Sequence, residues 1–188
     1  MIEVWFPTLI YKDNLGPLVD NRLLYSKAIE LKSKCPRKHQ WDSEMYNSLD
    51  VADIRDDPVV KDLIEKCKVH VLNFVRELGV EEFTQINCKD CWFNVYEKGD
   101  YQEVHVHTDS HFSLVYYVRV PPDSGDVVFM SPTYLTDAMR LKTKMPETVT
   151  HKTQDSDVLI FKSNTSHRVT QSKNQERRVS IAMNFIVV

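Results

Sequence analysis

Three histidines and one arginine carry the chemistry that can be read from this chain. His105 and His107 are separated by a single residue, Asp109 follows two further on, and His167 stands sixty residues beyond the pair. Eleven residues past His167 comes Arg178-Val179-Ser180. Side chains alternate faces along a strand, so His105 and His107 project from one side, as do Arg178 and Ser180. A distant third histidine then completes a three-point facial metal site. Ligands on one face with the opposite positions open are what a non-haem Fe(II) centre needs to bind a cosubstrate and O2 together. The guanidinium of Arg178 is a planar fork that holds a carboxylate through two hydrogen bonds. Arg177, its neighbour, points the other way by the same alternation.

HxH alone is weak, because alternating histidines occur on exposed strands without metal. Its setting strengthens it. Gly99-Asp100 supplies a turn into a predicted strand 101–107, the histidines end that strand, and Ser113 to Val120 returns as an apolar strand. The apolar run Val158-Leu159-Ile160-Phe161 and the polar turn from Lys162 to Ser166 then bring His167 back beside the first pair. A second registration takes His107, Asp109 and His167 as the ligands. A carboxylate would partly neutralise the ferrous ion, whereas three imidazoles leave the centre more positive. If Asp109 is not a ligand, it is placed to accept a hydrogen bond from a ligand imidazole. His111 reads as a rim residue, His151 as surface and His70 as a partly buried helix residue.

The rest of the chain must position these groups. The opening Ile2 to Tyr11 is β-branched and aromatic but broken by Pro7, which predicts an edge strand. Leu18 to Lys34 places Leu23, Leu24, Ala28 and Leu31 at helical spacing, and Pro36 ends the run. Residues 36 to 53 read as irregular, with Trp41 and Tyr46 as anchors. The second helix is signed at both ends: Asp57 caps it, Pro58 occupies its first position, Gly79 closes it, and Val60, Leu63, Ile64, Cys67, Val71, Phe74, Val75 and Leu78 form one stripe. From Phe83 the pattern is β, with strands predicted at 83–87, 91–97, 101–107, 112–120, 126–130, 147–151, 157–162, 167–171 and 178–187. Short strands at this spacing imply a jelly roll. The expected fold is α+β: a double-stranded β-helix with N-terminal helices packed on its outside, in one domain over 1–188, mainly helical support over 1–80 and a β-barrel core over 83–188. Ser131 to Lys144 has no strand pattern and reads as a loop at the barrel mouth.

Composition narrows the function. At 188 residues and 42% hydrophobic, the chain suits one core. A net charge of −3 and a pI near 6.2 argue against binding a phosphate backbone, and the basic run Lys34 to His39 reads as a solvated loop. No apolar run approaches the ~20 residues of a membrane span, and the N-terminus lacks signal-peptide character. A cytoplasmic location is expected. Cys35, Cys67, Cys88 and Cys91 are too few and irregular for a disulfide framework. Cys88-Lys89-Asp90-Cys91 spells CxxC, but it has no second pair for zinc and no helix opening at its first thiol, so chance occurrence is the better reading.

The ordered pieces Phe6-Pro7-Thr8, Gly99-Asp100-Tyr101, His105-Val106-His107, Ser113-Leu114-Val115-Tyr116-Tyr117 and Arg178-Val179-Ser180-Ile181-Ala182-Met183-Asn184-Phe185 span nearly the whole chain. In these the chain resembles the iron(II)- and 2-oxoglutarate-dependent oxygenases, and within them a branch common in marine phages and bacteria. The resemblance implies Fe(II) as cofactor, 2-oxoglutarate as cosubstrate, and O2 plus an unidentified substrate as partners. It favours His105, His107 and His167 as ligands, with Arg178 and Ser180 on the C5 carboxylate of 2-oxoglutarate. Tyr117 stands where relatives often place a tyrosine on the same carboxylate, and a core or rim tyrosine is the alternative. Asn94 and Tyr96 are weaker candidates for the site wall. Two rivals remain at this point: a cupin-type metal dioxygenase that does not use 2-oxoglutarate, and a non-catalytic binding or virion-associated module on the same barrel.

Overall fold

The structure, a computed structural model, describes residues 1, 3, 7–35, 42–80, 82–132 and 146–188. Ile2, Val4, Trp5 and Phe6 of the predicted opening strand, Trp41, residues 36–39 of the basic run and most of 131–144 lie outside the described residues. Two antiparallel sheets form the body. The larger combines β1 (Ile10–Asn14), β2 (Tyr46–Asn47), β3 (Ile86–Tyr96), β5 (Phe112–Arg119), β8 (Asp157–Lys162) and β10 (Arg178–Val187) in the order β1-β8-β5-β10-β3-β2. The smaller runs β4-β9-β6-β7, from β4 (Gln102–His105), β9 (His167–Val169), β6 (Val127–Met130) and β7 (Thr148–His151). This is the expected jelly roll, carrying α1 (Asn21–Lys34) and α2 (Pro58–Glu77) on the larger sheet.

Alternation sorts the larger sheet into two faces. Cys91, Phe93 and Val95 of β3, Leu114 and Tyr116 of β5, Val158 and Ile160 of β8, and Val179, Ile181, Met183 and Phe185 of β10 form the main apolar core. Leu24 and Ala28 of α1 and seven residues of α2 complete it. Each such side chain contributes roughly 1.5–3 kcal/mol on full burial. The intervening residues face the smaller sheet, and there the chain places its polar groups. The α2 boundaries follow the sequence signals: the Asp57 carboxylate accepts from the amides of Val59 and Val60, and Gly79 takes a φ of 72°.

Three expectations are corrected. The predicted strands 83–87 and 91–97 are one strand, β3, because a bulge opposite Asn184 and Phe185 absorbs Lys89 in place of a turn. The bulge turns Cys88 to the core side along with Cys91, and both thiols are free. Among the described residues the opening strand begins later than predicted, at Ile10 and not at Pro7, and it pairs with β8 at the sheet edge. Leu23 is half exposed, and α1 buries only Leu24 and Ala28.

Candidate active site

Register brings the three histidines together. His105 of β4 sits directly opposite His167 of β9, and His167 is opposite Phe129 of β6, so one row crosses the smaller sheet. The two imidazole centroids are 4.2 Å apart. His107 lies just past the end of β4, where its amide donates to Ser163 O in the β8–β9 turn at 2.9 Å. Its ring is 5.3 Å from that of His105 and 5.4 Å from that of His167. One potential ligand atom from each ring lies within 4.8 Å of the others.

Each ring is held by the same nitrogen. His105 Nδ1 bonds Glu103 O at 2.8 Å, and His167 Nδ1 bonds Thr165 O at 2.8 Å. A carbonyl only accepts, so both Nδ1 atoms carry hydrogen and both Nε2 atoms present a lone pair. His107 Nδ1 meets Asn184 Oδ1 at 2.6 Å and Ser113 Oγ at 3.0 Å. Burial disfavours the imidazolium in all three, pushing His105 down to about 4 and His167 to about 3, with lowering also at His107. The neighbouring histidines add to the fall in His105 and His167, against opposing hydrogen bonds. Three neutral imidazoles that bring one potential ligand nitrogen each to one point form a donor set that fits a ferrous ion.

Asp109 stands outside this cluster. Its side chain is 82% exposed and lies 3.8 Å from Lys89. The expected acceptor role toward an imidazole is filled instead by Asn184, which lies on the same strand face as Arg178 and Ser180. Ser113 Oγ meets the same ring nitrogen. The Asn184 contact joins residues 77 positions apart and the Ser113 contact residues 6 apart, and spacing along one strand reveals neither. His111 is exposed and accepts from the Val187 amide, His151 packs edge-on to Phe129, and His70 bonds Tyr11 on α2's surface side.

Arg178 marks the other end of the interior. It is 1% exposed, with its guanidinium 4.7 Å over the Tyr96 ring and 5.3 Å from that of Tyr117. Its Nε and Nη1 have no hydrogen-bond partner, and no carboxylate among the described residues forms an ion pair with it. Ser180 is buried between Asn94 and Tyr117 in register. Burial raises the phenols of Tyr96 and Tyr117, opposed by the adjacent guanidinium, so both remain hydroxyl donors at neutral pH. Tyr96 donates to Gln102 Oε1 at 3.0 Å, and Asn94 accepts from Asn47 at 3.1 Å. Arg177 behaves as its parity requires, half exposed and bonded to Glu97 at 2.9 Å.

Buried guanidinium donors without partners cost several kcal/mol unless a ligand satisfies them. The interior therefore holds both a cluster of three histidines and a buried guanidinium with unmet donors. Residues 90–184, just over half of the chain, match the family model described as "Putative 2OG-Fe(II) oxygenase". The chain belongs to this family. It is a 2-oxoglutarate-dependent non-haem iron oxygenase, and Fe(II) and 2-oxoglutarate are its cofactor and cosubstrate.

Solved structures share the fold over nearly the whole chain. A Pseudomonas putida prolyl-4-hydroxylase is 13% identical with a TM-score of 0.65, covering 95% of this chain and 92% of that one. The viral collagen prolyl hydroxylase of Paramecium bursaria Chlorella virus-1, in its 2OG complex, is 16% identical with a TM-score of 0.59 over 93% and 95%. The non-heme alpha ketoglutarate dependent epimerase SnoN of nogalamycin biosynthesis is 14% identical with a TM-score of 0.69 over 95% and 76%. No curated protein matches the sequence.

Two clefts at the surface differ in kind. One of about 640 Å³ borders His107, with Val80, Phe83, Val106, Phe112 and Val187 among its apolar lining and Glu82, Ser110 and Lys162 among its polar one. The other, about 710 Å³, lies by α1 and is lined by charged residues already paired, such as Arg119 with Glu176 and Arg177 with Glu97. No residue assigned to the site from the sequence lines the second. Among the described residues no helix is long and apolar enough to cross a membrane.

Proposed function

We propose that His105, His107 and His167 hold the ferrous ion through Nε2, and that Arg178, Ser180 and Tyr117 hold the C5 carboxylate of 2-oxoglutarate. The reaction served is oxidation, most simply hydroxylation, of a substrate that approaches along the apolar cleft beside His107. The observation that carries this reading is the buried Arg178, whose Nε and Nη1 lack partners inside a jelly roll that also gathers one potential ligand atom from each of three histidines. Bound iron supplies the redox chemistry that couples decarboxylation of 2-oxoglutarate to succinate with oxidation of the substrate by O2.

The chain's own residues do the positioning. Glu103 O and Thr165 O fix the orientation and tautomer of two ligand rings. Arg178 offers unmet donors to an incoming carboxylate, and stacking on Tyr96 and Tyr117 keeps its plane in place. Phe129 and Phe161 pack against His167 at 6.0 and 4.7 Å and keep water from that side of the ring.

Succinate release measured over a panel of protein, nucleobase, lipid and small-metabolite substrates tests the reading. One class should raise release above the substrate-free rate and yield an oxidised product. Release that persists unchanged in His167→Ala would contradict it.

A further inference from the structure

One of the three rings is held differently from the others. His105 and His167 donate Nδ1–H to main-chain carbonyls, which cannot reverse. His107 meets a side-chain amide, and an amide presents either an acceptor or a donor depending on which way it is turned. With Asn184 Oδ1 toward the ring, Nδ1 carries the proton and Nε2 is free. With the NH2 toward the ring, Nδ1 must accept, and the proton moves to Nε2, the atom the metal needs.

Asp90 decides between these states. It lies directly opposite Asn184 in the β3–β10 ladder, next to the bulge at Lys89, and Asn184 Nδ2 donates to Asp90 Oδ2 at 3.3 Å. A carboxylate is only an acceptor, so it holds the nitrogen of the amide on its own side and the oxygen toward His107. Ser113 Oγ donates to Asn184 Oδ1 at 3.0 Å, which agrees with that orientation. Ser113 in turn touches Ser163 Oγ at 2.9 Å, joining the amide to the β8–β9 turn that precedes His167.

We infer that Asp90 is a positioning residue for the metal centre: acting through the amide of Asn184, it fixes the His107 tautomer that leaves Nε2 unprotonated. The inference rests on the reading of His107 as a ligand. It also places a negative charge two hydrogen bonds from an all-imidazole ligand set that contains none. Charge moved along a polarised chain of this kind makes the ligand nitrogen more basic. The bulge is part of the device, because it lets β3 keep Asp90 facing inward while Cys88 joins the core.

The test has two readouts and needs no turnover. Proton–nitrogen correlation of the imidazoles in the metal-free protein reports the His107 tautomer, and anaerobic titration with ferrous ion reports affinity. The parent should show Nδ1–H at His107. Asp90→Asn allows the amide of residue 184 to turn, so a fraction of His107 should become Nε2–H and iron affinity should fall by ~10–100-fold. The exchanged pair Asp90→Asn with Asn184→Asp restores the polarity, since the new amide donates to the new carboxylate and that carboxylate accepts from Nδ1. It should recover the parent tautomer and most of the affinity. A merely structural loss would not be rescued by this exchange. Nε2–H at His107 in the parent overturns the inference without any variant, as does a folded Asp90→Asn protein with unchanged tautomer and affinity. Loss of iron in His107→Ala together with an unchanged Asp90→Asn removes the relay alone. Iron retained by His107→Ala removes both the relay and the ligand assignment beneath it.

Discussion

The two ends of the barrel interior solve opposite problems with the same device of strand alternation. At the histidine end, the protein answers every Nδ1 with an acceptor of its own and so keeps the lone pair of each ring on Nε2. At the arginine end, it buries a cation and leaves Nε and Nη1 unanswered. The contrast teaches where each ligand belongs. A site for a cation presents satisfied donors and spare lone pairs, whereas a site for an anion presents spare donors. Apolar neighbours serve both ends, depressing imidazole protonation at one and strengthening charge-assisted hydrogen bonds at the other.

The largest effect should come from removing a ring at the histidine end. Parent protein purified anaerobically should bind about one ferrous ion per chain, as expected of a single three-ligand site. His167→Ala should abolish tight binding, and an unchanged iron titration would dissolve the comparison at its first term. Next in size is His105→Ala, expected to cost far more iron affinity than Asp109→Ala, because the Asp109 carboxylate is 82% exposed and sits with Lys89. Iron lost in Asp109→Ala but kept in His105→Ala would establish the other registration. A smaller effect sharpens the arginine end. In thermal unfolding of the iron-loaded protein without O2, 2-oxoglutarate at a hundred times its Kd should stabilise the parent by about 2.7 kcal/mol. At the same concentration Arg178→Leu should gain much less. Equal stabilisation of both would mean that the cosubstrate's partner lies elsewhere.

Features set by local chemistry were legible before the structure. Alternation placed His105 with His107 and Arg178 with Ser180, and the Asp57, Pro58 and Gly79 signals bounded α2 to within a few residues. What escaped depends on register between distant strands. Lys89-Asp90 looks like a turn between two strands, and only pairing with β10 makes it a bulge within one. Asn184 and Ser113 stood in quoted motifs, yet their bonds to His107 span 77 and 6 positions and arise where three strands meet. Leu23 matched the helical spacing but sits beside the buried stripe, because α1 lies on the sheet through Leu24 and Ala28. Leu23 and β2, only two residues long, show how little a periodic pattern says about edges and short pairings.

The central claim is that the cosubstrate's carboxylate completes Arg178 while iron is held elsewhere, and one anaerobic titration tests it most directly. Iron-loaded parent, Arg178→Leu and Arg177→Leu are titrated with 2-oxoglutarate, following the visible charge-transfer band of the ferrous 2-oxo-acid chelate. Arg178→Leu should weaken binding by about 2–5 kcal/mol, as expected for loss of a desolvated charge-assisted contact. Arg177→Leu, whose side chain is half exposed on Glu97, should match the parent, and all three should carry iron equally. Equal affinity in Arg178→Leu and the parent, or a parent that shows no band at all, would contradict the account.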